Sequence, residues 1–288
     1  MFSGSIVALV TPLNNGAVDE KALAGLVEFH IANGTSAVVP CGTTGESATM
    51  DHKEHLRCIQ VVLEAAAGKI QVIAGTGSNS TREAVYLTGE AGRLGADAAL
   101  LVSPYYNKPT QEGLYLHYRT VAESSKIPII LYNVPSRTGS NIEPETVARL
   151  SEVPKVAAIK EASGSLDQAS KIASLCGITI LSGDDSLTLP LMSIGAKGVI
   201  SVAANVVPDR VAALTKTWLA GDAEGARKIH YELFNLIKVL FIETNPIPVK
   251  AAVAALGKIR EEYRLPLCPM AEGNKARLLA VMRGMGLI

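Results

Sequence analysis

Residues 155–164 read KVAAIKEASG. The stretch begins as a short apolar run, Val156, Ala157, Ala158 and Ile159, of the kind that forms a strand buried on both faces. It then places Lys160 and Glu161 directly after that run. An ammonium at the end of a buried strand is costly to desolvate unless it is paired or gives up its proton. The position raises the question of what the strand ends in.

The same pattern recurs along the chain. Eight short β-branched runs can be counted: SIVALVTP, SAVVPCG, IQVIAGTG, AALLVSPYY, PIILYNVP, KVAAIKEA, ITILSGDD and KGVISVAAN. Helix-like stretches with apolar residues three and four apart separate them, among them DEKALAGLVEFHIANG and STREAVYLTGEAGRLG. Asp51, Ser80 and Ser165 stand where helices should start, and Gly34, Gly68, Gly95 and Gly195 where they should end. Eight strand–helix units in about 220 residues predict a (β/α)8 TIM barrel. A doubly wound sheet is the second choice. It would normally carry a G-x-G-x-x-G turn after its first strand, and VTPLNNGAVDE has none. The expected division is a catalytic barrel over residues 1–222 and a helical C-terminal extension over residues 223–288, packed on the barrel.

Composition narrows the function. The chain has 288 residues, 48% hydrophobic and 19% charged, with 27 Lys+Arg against 27 Asp+Glu. A net charge of zero offers no basic surface for nucleic acid or an anionic membrane. The four cysteines, at 41, 58, 176 and 268, include no CxxC pair and suit reduced thiols. The opening MFSGSIVALVTP has no basic leader and too short an apolar run to span a bilayer. A cytoplasmic, soluble enzyme is expected.

In barrels of this kind the active site forms where the strands end at their C-termini. Here those ends carry Thr11-Pro12, GTTGES, GTGSNS, SPYYN, YNVPSRTG, KEASG, SGDDS and SVAAN. They contain one lysine, one arginine and no histidine, so a metal-dependent hydrolase is not expected. Asp184 and Asp185 would repel a phosphate at the usual barrel phosphate site. Alternation along the strand puts Val156, Ala158 and Lys160 on one face, and Ile130 and Tyr132 on one face of the preceding strand. With both sets inward, Lys160 and Tyr132 meet at the barrel top. A neutral amine there attacks ketones, and a tyrosine beside it can move protons. The alternative is a lysine that reaches out of the strand end to pair with Glu161 or Asp184. GTTGES offers two hydroxyls and backbone amides for a carboxylate, or else a glycine-rich turn with Ser47 as a helix cap. Arg137, in a loop over the site, can hold a carboxylate or stay solvated. His52 and His55 share a helix face but lack a third metal ligand nearby.

Taken together, GTTGES, PYYNKPTQEGLY, YNVPSRTG, IKEASG, SGDD and NPIPVK resemble the dihydrodipicolinate synthase family of pyruvate-dependent class I aldolases. The resemblance runs from GSIVALVTP to RLPLCPM and so covers nearly the whole chain. It implies a lyase that joins pyruvate to L-aspartate 4-semialdehyde through a Schiff base on Lys160, with no metal and no cofactor. By resemblance Tyr132, Thr43 and Tyr106 form a proton relay, with Tyr106 donated across a subunit interface. The same resemblance implies that Thr43 and Thr44 bind the pyruvate carboxylate, that Arg137 binds the semialdehyde carboxylate and that Val202 lines the substrate site. Ser47, Ala48, His52, His55, Asn79, Glu83 and Tyr105 match a lysine-inhibitor site. A homotetramer built as a dimer of dimers is the family's usual form. A sister aldolase for sugar acids shares the lysine and the threonine loop, but Arg137 favours an amino-acid aldehyde. A silent barrel that only binds a keto acid would not need the relay.

Overall fold

The computed structural model describes residues 2–288. Eight parallel strands close into a barrel: β1 Gly4–Ala8, β2 Ala37–Val39, β3 Gln71–Gly75, β4 Ala98–Val102, β5 Ile129–Asn133, β6 Val156–Glu161, β7 Thr179–Ser182 and β8 Gly198–Ser201. Each hydrogen-bonds the next, and β8 closes on β1 through Gly4↔Gly198, Ser5↔Val199, Ile6↔Ile200 and Val7↔Ser201. The strands are shorter than the apolar runs suggest. β1 stops at Ala8, and Leu9 to Pro12 leave the barrel towards a small hairpin that pairs Leu13 with Val18 and Asn14 with Ala17.

Helices cover the barrel: α1 Glu20–Ala32, α2 His52–Ala66, α3 Thr81–Leu94, α4 Gln111–Ser124, α5 Pro144–Ser151, α6 Leu166–Leu175, α7 Thr188–Ser193 and α8 Pro208–Leu219. Asp51 caps α2 by accepting from the Glu54 amide at 2.8 Å, and Ser165 caps α6 by accepting from Gln168 at 3.1 Å. Ser80 precedes α3 but its hydroxyl makes no capping bond. Its amide instead donates to Ser78 Oγ at 3.0 Å, so the polar wiring there belongs to Ser78 and Glu83. Arg137 sits on a single helical turn, Pro135–Thr138, not in an open loop. Proline starts that turn, and Gly139 ends it with φ of +72°, a conformation glycine adopts freely.

After α8 come three more helices, α9 Ala223–Val239, α10 Ile247–Ala255 and α11 Glu272–Gly284. Ala226, Leu233 and Leu236 of α9, Val249 and Val253 of α10 and Leu278 of α11 bury in one apolar cluster with Val7, Val38 and Val199 of the barrel. The extension therefore shares its core with the strands. No helix among the described residues is long and apolar enough to cross a membrane.

The barrel interior is small and apolar: Ile6, Val39, Ile73, Leu100, Ile130, Ala158, Leu181 and Ile200, with Tyr132 above them. Alternation from Val156 does not hold to the top of β6. The β5–β6 register runs Ile129↔Val156 and then Ile130↔Ala158, so one residue of β6 is skipped. That bulge turns Val156 outward, into the cluster under α4 to α6 that also holds Ile159. Beyond it Ala158 faces the interior and the register Tyr132↔Lys160 is regular. An unpaired residue in a ladder shifts the parity of everything before it, which the apolar run alone does not reveal.

Two helix histidines are held neutral by the fold. Burial depresses His117 from its ordinary 6.5 to about 4, and burial and then the Lys258 charge depress His30 to about 3. A depressed histidine contributes stability that is complete above its unfolded value near 6.5 and lost as pH falls towards the folded value. The melting temperature should therefore be flat near neutrality and fall below pH 6.5, with each histidine adding up to about 1.4 kcal/mol per pH unit. His117→Gln should melt with a shallower acid slope than the parent; parallel curves would show that His117 does not titrate this way.

Candidate functional site

Lys160, the next-to-last residue of β6, is only 5% exposed, and Tyr132, the next-to-last of β5, stands beside it in direct register. The Lys160 Nζ lies 4.0 Å from the centre of the Tyr132 ring, a cation–π distance. No acidic side chain forms an ion pair with Lys160 among the described residues. Glu161 points the other way. Its carboxylate accepts from Asn133 Nδ2 at 3.1 Å, Gln168 Nε2 at 3.2 Å and the Ser163 amide at 2.7 Å, which ties it to α6. Lys160 is therefore not a strand-end lysine reaching for Glu161. The room for its side chain comes from Gly183: a Cβ there would meet the Lys160 Cγ and Cε at 3.1 Å and Ala162 Cβ at 2.6 Å.

Lys160 and Tyr132 open onto a cavity of about 300 Å³. Thr43, Thr44, Arg137 and Val202 line it too, so the barrel closure gathers six of the positions named from the sequence. The Thr43–Thr44 pair sits in a tight turn, with the Gly45 amide donating to Gly42 O and the Glu46 amide to Thr43 O, both at 3.1 Å. The Thr11 hydroxyl fixes the turn from below by donating to Gly45 O at 2.7 Å. The Thr43 and Thr44 amides donate to no acceptor among the described residues. They share the cavity with the Arg137 guanidinium and the Lys160 amine, a set of groups able to attract a small anion.

Tyr106 is not part of that cavity. It is 89% exposed with φ of +74°, its amide donating to Thr138 O at 3.3 Å. Within one chain it does not complete a relay with Tyr132 and Thr43.

The strand 7 acids divide their work. Asp184 accepts from the Ser186 amide at 2.9 Å. Asp185 is buried, accepts from the Val202 amide at 2.8 Å and the Ala203 amide at 3.1 Å, and also bonds the Ser201 hydroxyl. Burial raises its carboxyl above the ordinary range, and the three donors oppose that rise. The amides that could hold a phosphate at the end of β8 are thus already occupied by a carboxylate of the protein itself.

Asn245 also lines the cavity, and sequence reasoning gave it no role. Its side chain donates to Thr44 Oγ1 at 2.9 Å and its carbonyl accepts from Arg137 at 3.2 Å. The signal was NPIPVK, a motif visible in the sequence, but its partners lie 201 and 108 residues away.

A second cavity, about 450 Å³, shares Thr43, Val134, Arg137 and Asn245 with the first. Ser47, Ala48, His52, His55, Glu83 and Tyr105 line it. Asn79 does not, but its side chain donates to the Tyr105 carbonyl at 3.1 Å and so braces that wall. Ser47 opens a turn over Ser47–Thr49 and does not cap α2. The two histidines diverge. His55 is buried and donates from Nε2 to Gly75 O at 2.7 Å; burial lowers its pKa, with that bond opposing. His52 contacts Glu83, whose carboxyl is lowered by the Ser78 hydroxyl and then by His52.

A closed barrel presenting a buried lysine, a neighbouring tyrosine, two threonines and an arginine in one cavity defines a lysine-bearing (β/α)8 enzyme. The chain matches the Dihydrodipicolinate synthetase family over residues 1–284 and belongs to it. It is 60% identical over 290 residues to the 4-hydroxy-tetrahydrodipicolinate synthase of Geotalea uraniireducens, covering all of both chains. Among solved structures, it is 47% identical to the chloride-inhibited dihydrodipicolinate synthase of Acinetobacter baumannii complexed with pyruvate, with a TM-score of 0.98 and 100% of both chains covered. It is 41% identical to the enzyme of Cyanidioschyzon merolae with lysine bound, at a TM-score of 0.97, covering 100% of this chain and 99% of that one. The chain is a lyase of this family, and these relatives support no sugar-acid aldolase.

Asp185→Ala should cost about 3 kcal/mol in denaturant unfolding, because two amides and a hydroxyl lose a charged acceptor. A loss below about 1 kcal/mol would mean that the three donors find other partners.

Proposed function

We propose that this chain condenses pyruvate with L-aspartate 4-semialdehyde, giving 4-hydroxy-tetrahydrodipicolinate. The observation that carries the reading is Lys160 Nζ, buried 4.0 Å over the Tyr132 ring in a cavity shared with Thr43, Thr44 and Arg137. The amine attacks the pyruvate ketone, and loss of water leaves an imine. A methyl proton leaves and the enamine carbon attacks the aldehyde. The substrate's own amine then displaces Lys160, closing the ring. The imine is itself the electron sink, so the lysine serves in place of a metal or organic cofactor. The Thr43 and Thr44 amides seat the pyruvate carboxylate, Arg137 takes the carboxylate of the semialdehyde, and Val202 walls the cavity.

Tyr132 and Thr43 move protons, and the exposed Tyr106 completes the relay from a second copy of the chain. A side chain 89% exposed beside the half-exposed Tyr105 suits burial against a partner. A homotetramer in the cytoplasm, built from such dimers, fits this reading.

Borohydride added with pyruvate should leave one reduced pyruvyl group on Lys160, read by peptide mass. Lys160→Ala should carry none. Arg137→Ala should form the adduct normally while its kcat/KM for the semialdehyde falls about 100-fold, the loss of a charged bidentate contact. An adduct on another lysine, or none, refutes the mechanism.

The second cavity supports regulation by lysine. Glu83 with His52 would take the ligand's ammonium side, and the relative that binds lysine lends the idea weight. Millimolar lysine should lower activity and raise the melting temperature, and Glu83→Gln should weaken both effects. Unchanged activity and melting in the parent protein would rule the site out.

A further inference from the structure

Lys160 is not the only buried lysine. Lys250 of α10 is 0% exposed and forms an ion pair with Glu46, itself 5% exposed. Burial lowers the Lys250 pKa and the Glu46 charge opposes that shift. The ring of Tyr263 covers the pair 5.3 Å from Nζ, held by its hydroxyl bond to Ile247 O at 3.0 Å.

A buried ion pair is weak evidence for stability, since desolvating both charges offsets their attraction. This pair is also incompletely satisfied: Glu46 Oε2 is buried with no hydrogen-bond partner among the described residues. Its purpose is better sought in what it holds. Glu46 is two residues beyond Thr44 and has φ of +57°, a left-handed conformation that a non-glycine residue keeps only when its surroundings enforce it. The Glu46 amide closes the turn on Thr43 O. The segment that carries Lys250 also carries Asn245, which bonds the Thr44 hydroxyl and Arg137. One short stretch, residues 245–250, thus holds the turn at two points, Thr44 and Glu46.

We propose that Lys250 and Glu46 are positioning residues: their ion pair holds the Gly42–Glu46 turn so that the Thr43 and Thr44 amides face the same cavity as the Lys160 amine. The inference rests on the pyruvate reading above. It makes a kinetic demand that a purely structural pair would not. Loosening the turn weakens capture of pyruvate and spares the semialdehyde, whose carboxylate goes to Arg137.

The test replaces both charges with apolar groups of similar size, Glu46→Leu with Lys250→Met, which leaves no buried charge unpaired. Melting temperature, the KM for each substrate and the pyruvate concentration that half-traps Lys160 under borohydride are measured on the full chain. The double variant should melt near or above the parent, yet need about tenfold more pyruvate for half-trapping, with the semialdehyde KM within about threefold. Half-trapping at the parent's pyruvate concentration overturns the proposal, as does an equal rise in both KM values. Should the double variant not fold, Glu46→Asp decides: it keeps the charge, shortens the reach by one carbon and should raise the half-trapping concentration about threefold. Parity with the parent there refutes positioning. A parent protein that traps no pyruvate at all removes the functional reading, and this inference with it.

Discussion

An amine cannot be buried against apolar walls without something to stabilise or neutralise it, and this fold answers that demand twice in opposite ways. Lys250 receives a carboxylate, Glu46. Lys160, which has no ion pair among the described residues, receives the face of Tyr132, while the nearest acid in sequence, Glu161, is turned away and tied to Asn133, Gln168 and the Ser163 amide. The first arrangement fixes a charge in place. The second leaves an amine available to a ligand. Gly183 makes room for one of the two lysines, and Tyr263 covers the other.

Barrel closure converts separate strand ends into one site. Thr43 follows β2, Tyr132 and Lys160 lie one residue before the ends of β5 and β6, and Val202 follows β8, and all line one cavity. The helices after residue 222 contribute as well. They share the barrel's apolar core and bring Asn245 and Lys250 against the threonine turn. Buried carboxylates then shape which anion the site accepts. Asp185 occupies the Val202 and Ala203 amides after β8, and those amides are not free for an anion from solution.

The eight strands, the helices between them and the meeting of Lys160 with Tyr132 could be read from the sequence, because period-two and helical spacing are local properties. The bulge that turns Val156 outward could not, since it depends on how β6 pairs with β5 and not on the composition of either. Nor could the contacts of Asn245 and Lys250. Their partners are 201 and 204 residues away, and nothing in NPIPVK alone says which loop it will meet. Tyr106 was placed across an interface by resemblance, and a single chain leaves it in solvent. Arg137 looked like a loop residue because a one-turn helix is too short to show a period.

The central claim is that the Lys160 amine, seated over Tyr132 and facing the Thr43–Thr44 amides, is where pyruvate is bound covalently. A crystal structure of the protein soaked in pyruvate without the aldehyde tests it most directly. The account predicts continuous density from Lys160 Nζ to the keto carbon, with the carboxylate on the Thr43 and Thr44 amides. Pyruvate lying unbonded in the cavity, or joined to a different lysine, would contradict it.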